Sequence, residues 1–145
     1  MRIAIGSDHA GFALKELVKG FLQEAGHEVT DCGCNGPESV HYPVYGKAVA
    51  EKVQKGEADA GVLVCFTGIG MSMTANRCKG VRAALCRSCD EAFMTRQHND
   101  ANILVLGAKY TFPEDARSIL KTFLDTPFSG GERHALRIRL IDEEQ

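Results

Sequence analysis

The segment Gly61-Val-Leu-Val-Cys65-Phe-Thr-Gly-Ile-Gly70-Met-Ser-Met-Thr-Ala-Asn76 decides how the rest of the chain is interpreted. It begins with an uninterrupted apolar run, which is typical of a strand that is buried on both faces. The run ends at Cys65, a glycine-containing turn follows, and the residues after the turn are small and compatible with a helix. The segment therefore predicts a strand, a tight turn and a helix.

This arrangement directs backbone N–H groups and the positive end of a helix dipole towards one place. An anion is stabilised in such a place, and a thiol there is favoured as the thiolate. Cys65 is thus a candidate base or nucleophile, and the turn after it is a candidate oxyanion site. A cysteine at the end of an apolar strand is also commonly a small core residue, so both roles stay open.

The composition excludes several classes of protein. A chain of 145 residues is long enough for a single domain, 1–145, with a substantial core. The net charge of −2 gives no general attraction to nucleic acid or to anionic membranes. The first residues form too short an apolar run for a signal peptide or a membrane span. We therefore expect a cytoplasmic protein with no nucleic-acid and no membrane partner.

The six cysteines are more than such a chain usually has. No secretion signal is expected, so a disulfide framework is not expected either. Cys32, Cys34, Cys86 and Cys89 could together supply four thiolates to zinc. A Cys-x-x-Cys knuckle needs a turn, however, whereas Cys86 ends an apolar run and Cys89 opens a helix. Unrelated thiols are the favoured interpretation, and no metal is expected.

Apolar strands alternate with helices along the chain. Strands are predicted at residues 2–7, 27–31, 60–65, 81–86 and 102–106. Helices are predicted at residues 12–25, 43–55, after the Cys65 turn, at about 88–100, at 113–124 and from 133 onwards. The alternation predicts an α/β fold in which helices cover both faces of a parallel sheet. The last helix has no strand after it and packs either on its own domain or on a partner subunit.

Ligands of open parallel sheets lie beyond the carboxyl ends of the strands, so polar groups there are candidate site residues. Asp8 and His9 follow the first strand, Cys65 ends the third, and His98 and Asn99 precede the fifth. We assign all of them to that edge of the sheet. Asp8 could instead cap a helix, His9 could be a surface residue, and His98 could favour the dipole of its helix end.

The C-terminal helix adds two arginines, Arg133 and Arg137, that lie on one face. Two guanidinium groups on one face suit a phosphate, although from the residues alone a solvated basic face that pairs with Glu132 or with the acidic C-terminus is the favoured interpretation. The chain has neither a dinucleotide fingerprint after its first strand nor a phosphate-binding loop. These residues suggest an enzyme that removes a proton beside a carbonyl of a phosphorylated metabolite.

Five motifs together carry a resemblance to a known family. They are Gly6-Ser-Asp-His-Ala-Gly-Phe12, Cys65-Phe-Thr-Gly-Ile-Gly-Met-Ser72, Ala75-Asn76, Arg96-Gln-His-Asn-Asp-Ala-Asn102 and Arg133-His-x-x-Arg137. The chain resembles the type B ribose-5-phosphate isomerases, which include the galactose-6-phosphate isomerase subunits. The resemblance implies a Rossmann-like three-layer sandwich with a five-stranded parallel sheet and a C-terminal helix. It implies an enzyme that interconverts ribose 5-phosphate and ribulose 5-phosphate through a cis-enediolate in the pentose phosphate pathway. It also implies no cofactor, and a homodimer or homotetramer with sites shared between subunits.

The same resemblance assigns roles to single residues. Cys65 would move the proton between C1 and C2, Thr67 would assist at the hydroxyls, and His98 with Asp8 would open the furanose ring. The substrate-binding residues would be Asp8, His9, Tyr42, Phe66, Thr67, Gly68, Ile69, Gly70, Asn99, Arg133 and Arg137. Within this set, the N–H groups of residues 66–70 would hold the enediolate oxygen. His9 and the two arginines would hold the phosphate.

Phe66 departs from the family pattern, which usually has glycine after the catalytic cysteine. The backbone N–H remains, but a positive φ is not expected at a phenylalanine. The ring could narrow the pocket or shield the thiolate from water. A six-carbon aldose 6-phosphate, such as allose or galactose 6-phosphate, is the alternative substrate, and its longer chain needs room beside the turn that the Phe66 ring could deny.

Overall fold

The computed structural model describes residues 1–143. Its strands are β1 (Arg2–Ser7), β2 (Glu28–Asp31), β3 (Ala60–Cys65), β4 (Ala83–Leu85) and β5 (Ile103–Gly107). Its helices are α1 (Phe12–Glu24), α2 (Tyr42–Gln54), α3 (Ile69–Ala75), α4 (Cys89–Asn99), α5 (Pro113–Asp125) and α6 (Glu132–Asp142). The predicted alternation is confirmed, and the element ends differ from the prediction by a few residues at most.

All five strands form one parallel sheet in the order β2-β1-β3-β5-β4. Ser7 of β1 pairs with Val64 of β3, and Cys65 pairs with Gly107 of β5. The carboxyl ends of the three central strands therefore lie side by side. Strand β2 lies on one side of β1, and β3 lies on the other side. The direction in which strands are added to the sheet therefore reverses between β1 and β3. Such a reversal point is where open α/β sheets bind their ligands.

Helices cover both faces of the sheet, because successive side chains of β3 belong alternately to two different cores. Val62 and Val64 belong to a core shared with α1, α4 and α5, whereas Leu63 and Cys65 belong to a second core shared with α2 and α3. A strand with a core on each face requires a continuous apolar run. The predicted three-layer arrangement is confirmed, and the Cys65 side chain is on the α2–α3 side.

Helix α6 lies outside both layers and has no buried residue. The linker before it is attached to the end of α4, because Gln97 Nε2 donates to the Pro127 carbonyl at 2.8 Å and Ser129 N–H donates to the Gln97 carbonyl at 3.3 Å. The far end of α6 is attached through an ion pair of 2.8 Å between Arg82 and Asp142. None of the helices within residues 1–143 has the length and apolarity to cross a membrane.

Candidate active site

Cys65 occupies the carboxyl end of the central strand β3 and is almost completely buried. The N–H of Gly68 donates to its sulfur at 3.2 Å. A hydrogen bond of this kind is stronger when the acceptor is ionised. The turn thus presents a donor to the sulfur, which is the arrangement that stabilises a negative charge at this position.

The turn after Cys65 needs glycine for its backbone conformation. Gly68 has φ of +80° and is the residue immediately before α3, so the chain reverses there into the first helical turn. Thr67 Oγ1 accepts from the N–H of Ile69 at 3.2 Å, which fixes the threonine side chain against the turn. Among residues 1–143, Asp100 is the only non-glycine residue with a positive φ. The prediction that Phe66 avoids this conformation is confirmed.

Phe66 lies at the rim of the turn, and its side chain is 53% exposed. The ammonium group of Lys109 is 5.5 Å from the centroid of the Phe66 ring, within the range of a cation–π contact. The backbone joins the same two residues, since Lys109 N–H donates to the Phe66 carbonyl at 2.8 Å. The ring therefore faces solvent beside a cation and is not part of the core.

Tyr42 reaches the same turn from the first residue of α2. Its ring is so close to Gly70 that a Cβ atom at that position would overlap with the ring. Gly70 is thus required by the packing of two segments that are distant in the sequence. Tyr42 therefore lies beside the turn, and its role in lining the site stays a prediction.

Asp8 and His9 lie next to Cys65 because β1 and β3 are neighbours. The N–H of Asp8 donates to the Val64 carbonyl at 3.3 Å, and Asp8 Oδ1 accepts from the N–H of Gly11 at 3.0 Å. His9 Nδ1 accepts from the N–H of Val40 at 3.2 Å. A backbone N–H can only donate, so the proton of the neutral His9 ring is on Nε2. His9 therefore has a donor available for an anionic ligand.

A buried lysine, Lys15, stabilises the loop that packs against the carboxyl edge of the sheet. Lys15 is fully buried, and its ammonium group contacts both oxygens of Asp31 at 2.8 and 3.0 Å and the Cys34 carbonyl at 2.7 Å. Burial opposes ionisation of Asp31, but hydrogen bonds from Lys15, the Gly33 N–H and Lys19 outweigh it, so the pKa of Asp31 lies below its usual value.

This ion pair fixes the loop after β2 against the end of β1. Ser7 N–H donates to the Gly33 carbonyl at 2.8 Å, and Cys34 N–H donates back to the Ser7 carbonyl at 2.9 Å. Asp8 follows directly, so the loop holds the backbone that presents Asp8 and His9. Sequence patterns did not indicate this role for Lys15, because a lysine in an amphipathic helix is normally solvated.

His98 and Asn99 lie at the opposite edge of the sheet. Helix α4 connects the carboxyl end of β4 to the amino end of β5, so its last residues are at the amino edge. Arg82, just before β4, confirms the position, because its Nε donates to the Asn99 carbonyl at 3.0 Å. Strand β3 separates the two edges by about 17 Å, at 3.3 Å per residue. The prediction that His98 lies at the carboxyl ends of the strands is wrong.

Arg82 and Arg96 stabilise the amino-edge corner of the molecule, where α4 ends. Asp100 ends α4 in the left-handed conformation, with φ of 45°. Arg96 contacts its carboxylate at 2.8 Å, and Arg82 Nη2 donates to its carbonyl at 3.0 Å. Since Arg82 also pairs with Asp142, one guanidinium group links the end of α4 to α6.

Helix α6 contributes Arg133, His134 and Arg137 to the same corner. The rings of His98 and His134 are stacked, with centroids 4.2 Å apart and planes 13° apart. Partial burial, followed by the positive charges of His98, Arg133 and Arg137, lowers the pKa of His134. His134 lies inside the motif that contains the two arginines, but sequence reasoning assigned it no role.

The predicted site residues, together with His134, thus form two groups in one chain. The carboxyl-edge cluster consists of Asp8, His9, Tyr42, Cys65, Phe66, Thr67, Gly68, Ile69 and Gly70. The amino-edge cluster consists of His98, Asn99, Arg133, His134 and Arg137. The two clusters lie at opposite edges of the sheet, so they do not form a single pocket within one chain.

The alternative zinc site is wrong. Cys32 and Cys34 follow β2, whereas Cys86 and Cys89 follow β4, and these two strands are the opposite outer strands of the sheet. Four strand spacings, or about 19 Å, separate them. Within residues 1–143, no group of three or more histidine, cysteine or acidic side chains has the arrangement of a metal site.

A comparison with known protein families assigns the chain. The family described as Ribose/Galactose Isomerase matches residues 3–141. This chain belongs to that family.

Relatives in the ribose/galactose isomerase family match along their length. Ribose-5-phosphate isomerase B of Escherichia coli is 41% identical over 97% of this chain and 93% of its own. A galactose-6-phosphate isomerase subunit of Clostridium acetobutylicum is 38% identical over 99% of this chain and 83% of its own. The crystal structure of a ribose 5-phosphate isomerase from Thermotoga maritima is 54% identical and superposes with a TM-score of 0.96, covering 99% of this chain and 98% of that one. The predicted family and fold are confirmed.

Proposed function

We propose that this protein interconverts ribose 5-phosphate and ribulose 5-phosphate. The observation that carries the proposal is the buried Cys65 thiol at a strand end, with the Gly68 N–H directed at its sulfur. In the open-chain aldose, the Cys65 thiolate takes the proton from C2 and returns it to C1. The intermediate is a cis-enediolate, and no cofactor takes part.

Stabilisation of the enediolate is the main requirement of this reaction. A proton on carbon beside a carbonyl is weakly acidic, so the enzyme must bind the developing oxyanion more tightly than the substrate. The N–H groups of residues 66–70 would hold that oxygen, and the Thr67 hydroxyl would assist proton transfer between the two oxygens. Loss of one such donor typically costs about 3–4 kcal/mol of barrier.

The amino-edge cluster supplies the remaining functions in this proposal. His98 would open the furanose ring and Asn99 would contact the sugar. Arg133 and Arg137 are exposed and one helical turn apart, which suits a phosphate, and His9 would bind it from the carboxyl-edge cluster.

We infer that two copies of the chain form each complete site. The carboxyl-edge cluster has the base without the arginine pair, and the amino-edge cluster has the arginines without the base. Helix α6 also has an apolar stripe, Leu136, Leu140 and Ile141, whose exposures are 48%, 53% and 60%. In a homodimer with twofold symmetry, the interface would contain two equivalent sites. At each site, the amino-edge cluster of one subunit would meet the carboxyl-edge cluster of the other. A homotetramer built from such dimers has the same sites.

A six-carbon aldose 6-phosphate is the second candidate substrate. The observation that favours it is the exposed position of Phe66, whose ring lies beside Lys109 and is not packed within the core. Specificity constants for five- and six-carbon phosphates, in wild type and Phe66→Gly, distinguish the two. If Phe66 limits chain length, Phe66→Gly shifts the preference towards the hexose phosphate. An unchanged preference removes Phe66 as the selecting residue.

The proposal is tested by incubating the purified protein in D2O with ribose, allose and galactose phosphates and following products by NMR. We expect turnover of ribose 5-phosphate with deuterium incorporation at C1 of ribulose 5-phosphate. Binding of the sugar phosphates without turnover or exchange would instead indicate a sensor that has kept the pocket.

A further inference from the structure

His134, whose ring stacks on that of His98, is the member of the amino-edge cluster that has no role in the mechanism above. His98 is partly buried at the end of α4, and His134 is partly buried in the first turn of α6. Their centroid distance of 4.2 Å and interplanar angle of 13° describe face-to-face contact. His134 is therefore the neighbour that determines the plane of the His98 ring.

The surroundings of this pair are positively charged. Arg133 and Arg137 lie beside His134 on α6, and His98 faces His134 from α4. The acidic side chains of the same corner, Asp100 and Asp142, are already engaged by Arg96 and Arg82. Two imidazolium rings in contact would repel each other, so two positive charges on the pair are disfavoured.

We propose that His134 is a positioning residue for ring opening, which holds the plane of the His98 ring by stacking on it. This inference rests on the proposed function. In the ring-opening step His98 donates a proton to the ring oxygen, the bond between C1 and that oxygen breaks, and C1 becomes the aldehyde as its hydroxyl proton passes to a base. A general acid must meet the ring oxygen in a fixed orientation, which the stack provides.

The chemistry of the two substrates separates ring opening from proton transfer. Ribose 5-phosphate forms a furanose ring, whereas ribulose 5-phosphate is open-chain because its C5 hydroxyl is phosphorylated. Deuterium exchange from D2O into C1 of ribulose 5-phosphate therefore requires Cys65 and the turn but no ring opening. Conversion of ribose 5-phosphate requires both steps.

The experiment compares these two rates in His134→Ala, His134→Phe and the control His27→Gln, which lies outside both clusters. We expect conversion of ribose 5-phosphate by His134→Ala to fall about tenfold, a part of what general acid catalysis supplies. Exchange into ribulose 5-phosphate should stay close to wild type. His134→Phe, which keeps an aromatic face, should recover most of the conversion. Equal loss of both rates, or no loss of either, would overturn the proposal.

A titration without substrate tests the contact between the two rings independently of the proposed function. The chain has five histidines, so their NMR signals can be assigned by substitution. We expect His98→Asn to raise the titration midpoint of His134, because a positive neighbour is removed. An unchanged midpoint would show that the two rings are not in contact. If wild type fails to isomerise ribose 5-phosphate but the midpoint still moves, the proposed function fails and the coupling stands.

Discussion

The two edges of the sheet hold their functional residues in different ways. At the carboxyl edge, Cys65 and Asp8 are buried, and the fully buried Lys15 supports the loop beside them. At the amino edge, Arg133, Arg137 and Asn99 are exposed on elements joined mainly by surface-accessible ion pairs. Groups that stabilise a transition state benefit from rigid preorganisation, which explains the buried construction of the first edge. The side chains of the amino edge face solvent. This exposure is what the proposed site requires, because these side chains must reach the carboxyl edge of a second copy.

The largest expected effect is the loss of the proposed base, Cys65, at the carboxyl edge. Cys65→Ala should lower kcat for ribose 5-phosphate by about 10³-fold, because a general base typically contributes 10²–10⁴-fold. Initial-rate measurements on Cys65→Ala and on Cys89→Ser, which changes an exposed thiol, provide the comparison. Near wild-type turnover by Cys65→Ala would show that the base is another group.

The next effect concerns the ion pair behind the carboxyl edge. Asp31→Ala should lower the free energy of unfolding by about 3 kcal/mol, because it leaves the buried Lys15 ammonium with only the longer contact to Glu16, at 3.4 Å, as an ion pair. Lys15→Met removes the charge and keeps the apolar stem, so it should cost less. Urea unfolding of both variants measures the difference. Equal losses would mean that the buried charge itself is not costly.

Packing within the carboxyl edge gives a smaller effect. Gly70→Ala should lower stability by about 2 kcal/mol, since its new methyl group overlaps with the Tyr42 ring. Tyr42→Ala in the same chain should relieve most of this strain. A double-mutant cycle by thermal unfolding measures the coupling, and purely additive losses would contradict the contact.

The smallest effect is expected at the amino edge, in an exposed ion pair. Hydrogen bonds from Arg2, helped by its charge, lower the pKa of Asp59 to about 2. A depressed folded-state pKa gives stability that is present above the unfolded pKa, about 3.9 for aspartate, and is lost as the pH falls through about 2. The stability difference between wild type and Asp59→Asn should therefore narrow from about pH 4 downwards. A difference that does not change between pH 6 and pH 3 would contradict this.

Much of the fold and half of the site could be predicted from the sequence. The apolar run before Cys65 and the glycines after it have few alternatives, because a doubly buried strand and a tight turn both restrict the residue type. The position of His98 was predicted wrongly, since its proximity in sequence to β5 does not indicate at which end of that strand it lies. The direction of α4 decides this.

Other features depend on contacts that no local pattern contains. Lys15 is buried because Asp31 and the Cys34 carbonyl, which are distant in the sequence, surround its ammonium group. His134 meets His98 only because the linker before α6 is attached to α4. Neither pairing follows from helical periodicity, which reports on one element at a time.

The shared site is the central claim, and subunit mixing tests it most directly. Each proposed site takes Cys65 from one subunit and Arg137 from the other. A mixed dimer of Cys65→Ala and Arg137→Ala subunits therefore has one site with both substitutions and one site with neither. After equal amounts of the two inactive variants are unfolded and refolded together, about a quarter of wild-type activity should return, because about half of the dimers are mixed and one site in each is intact. If each site lies within one chain, the mixture stays inactive. That result would contradict the account.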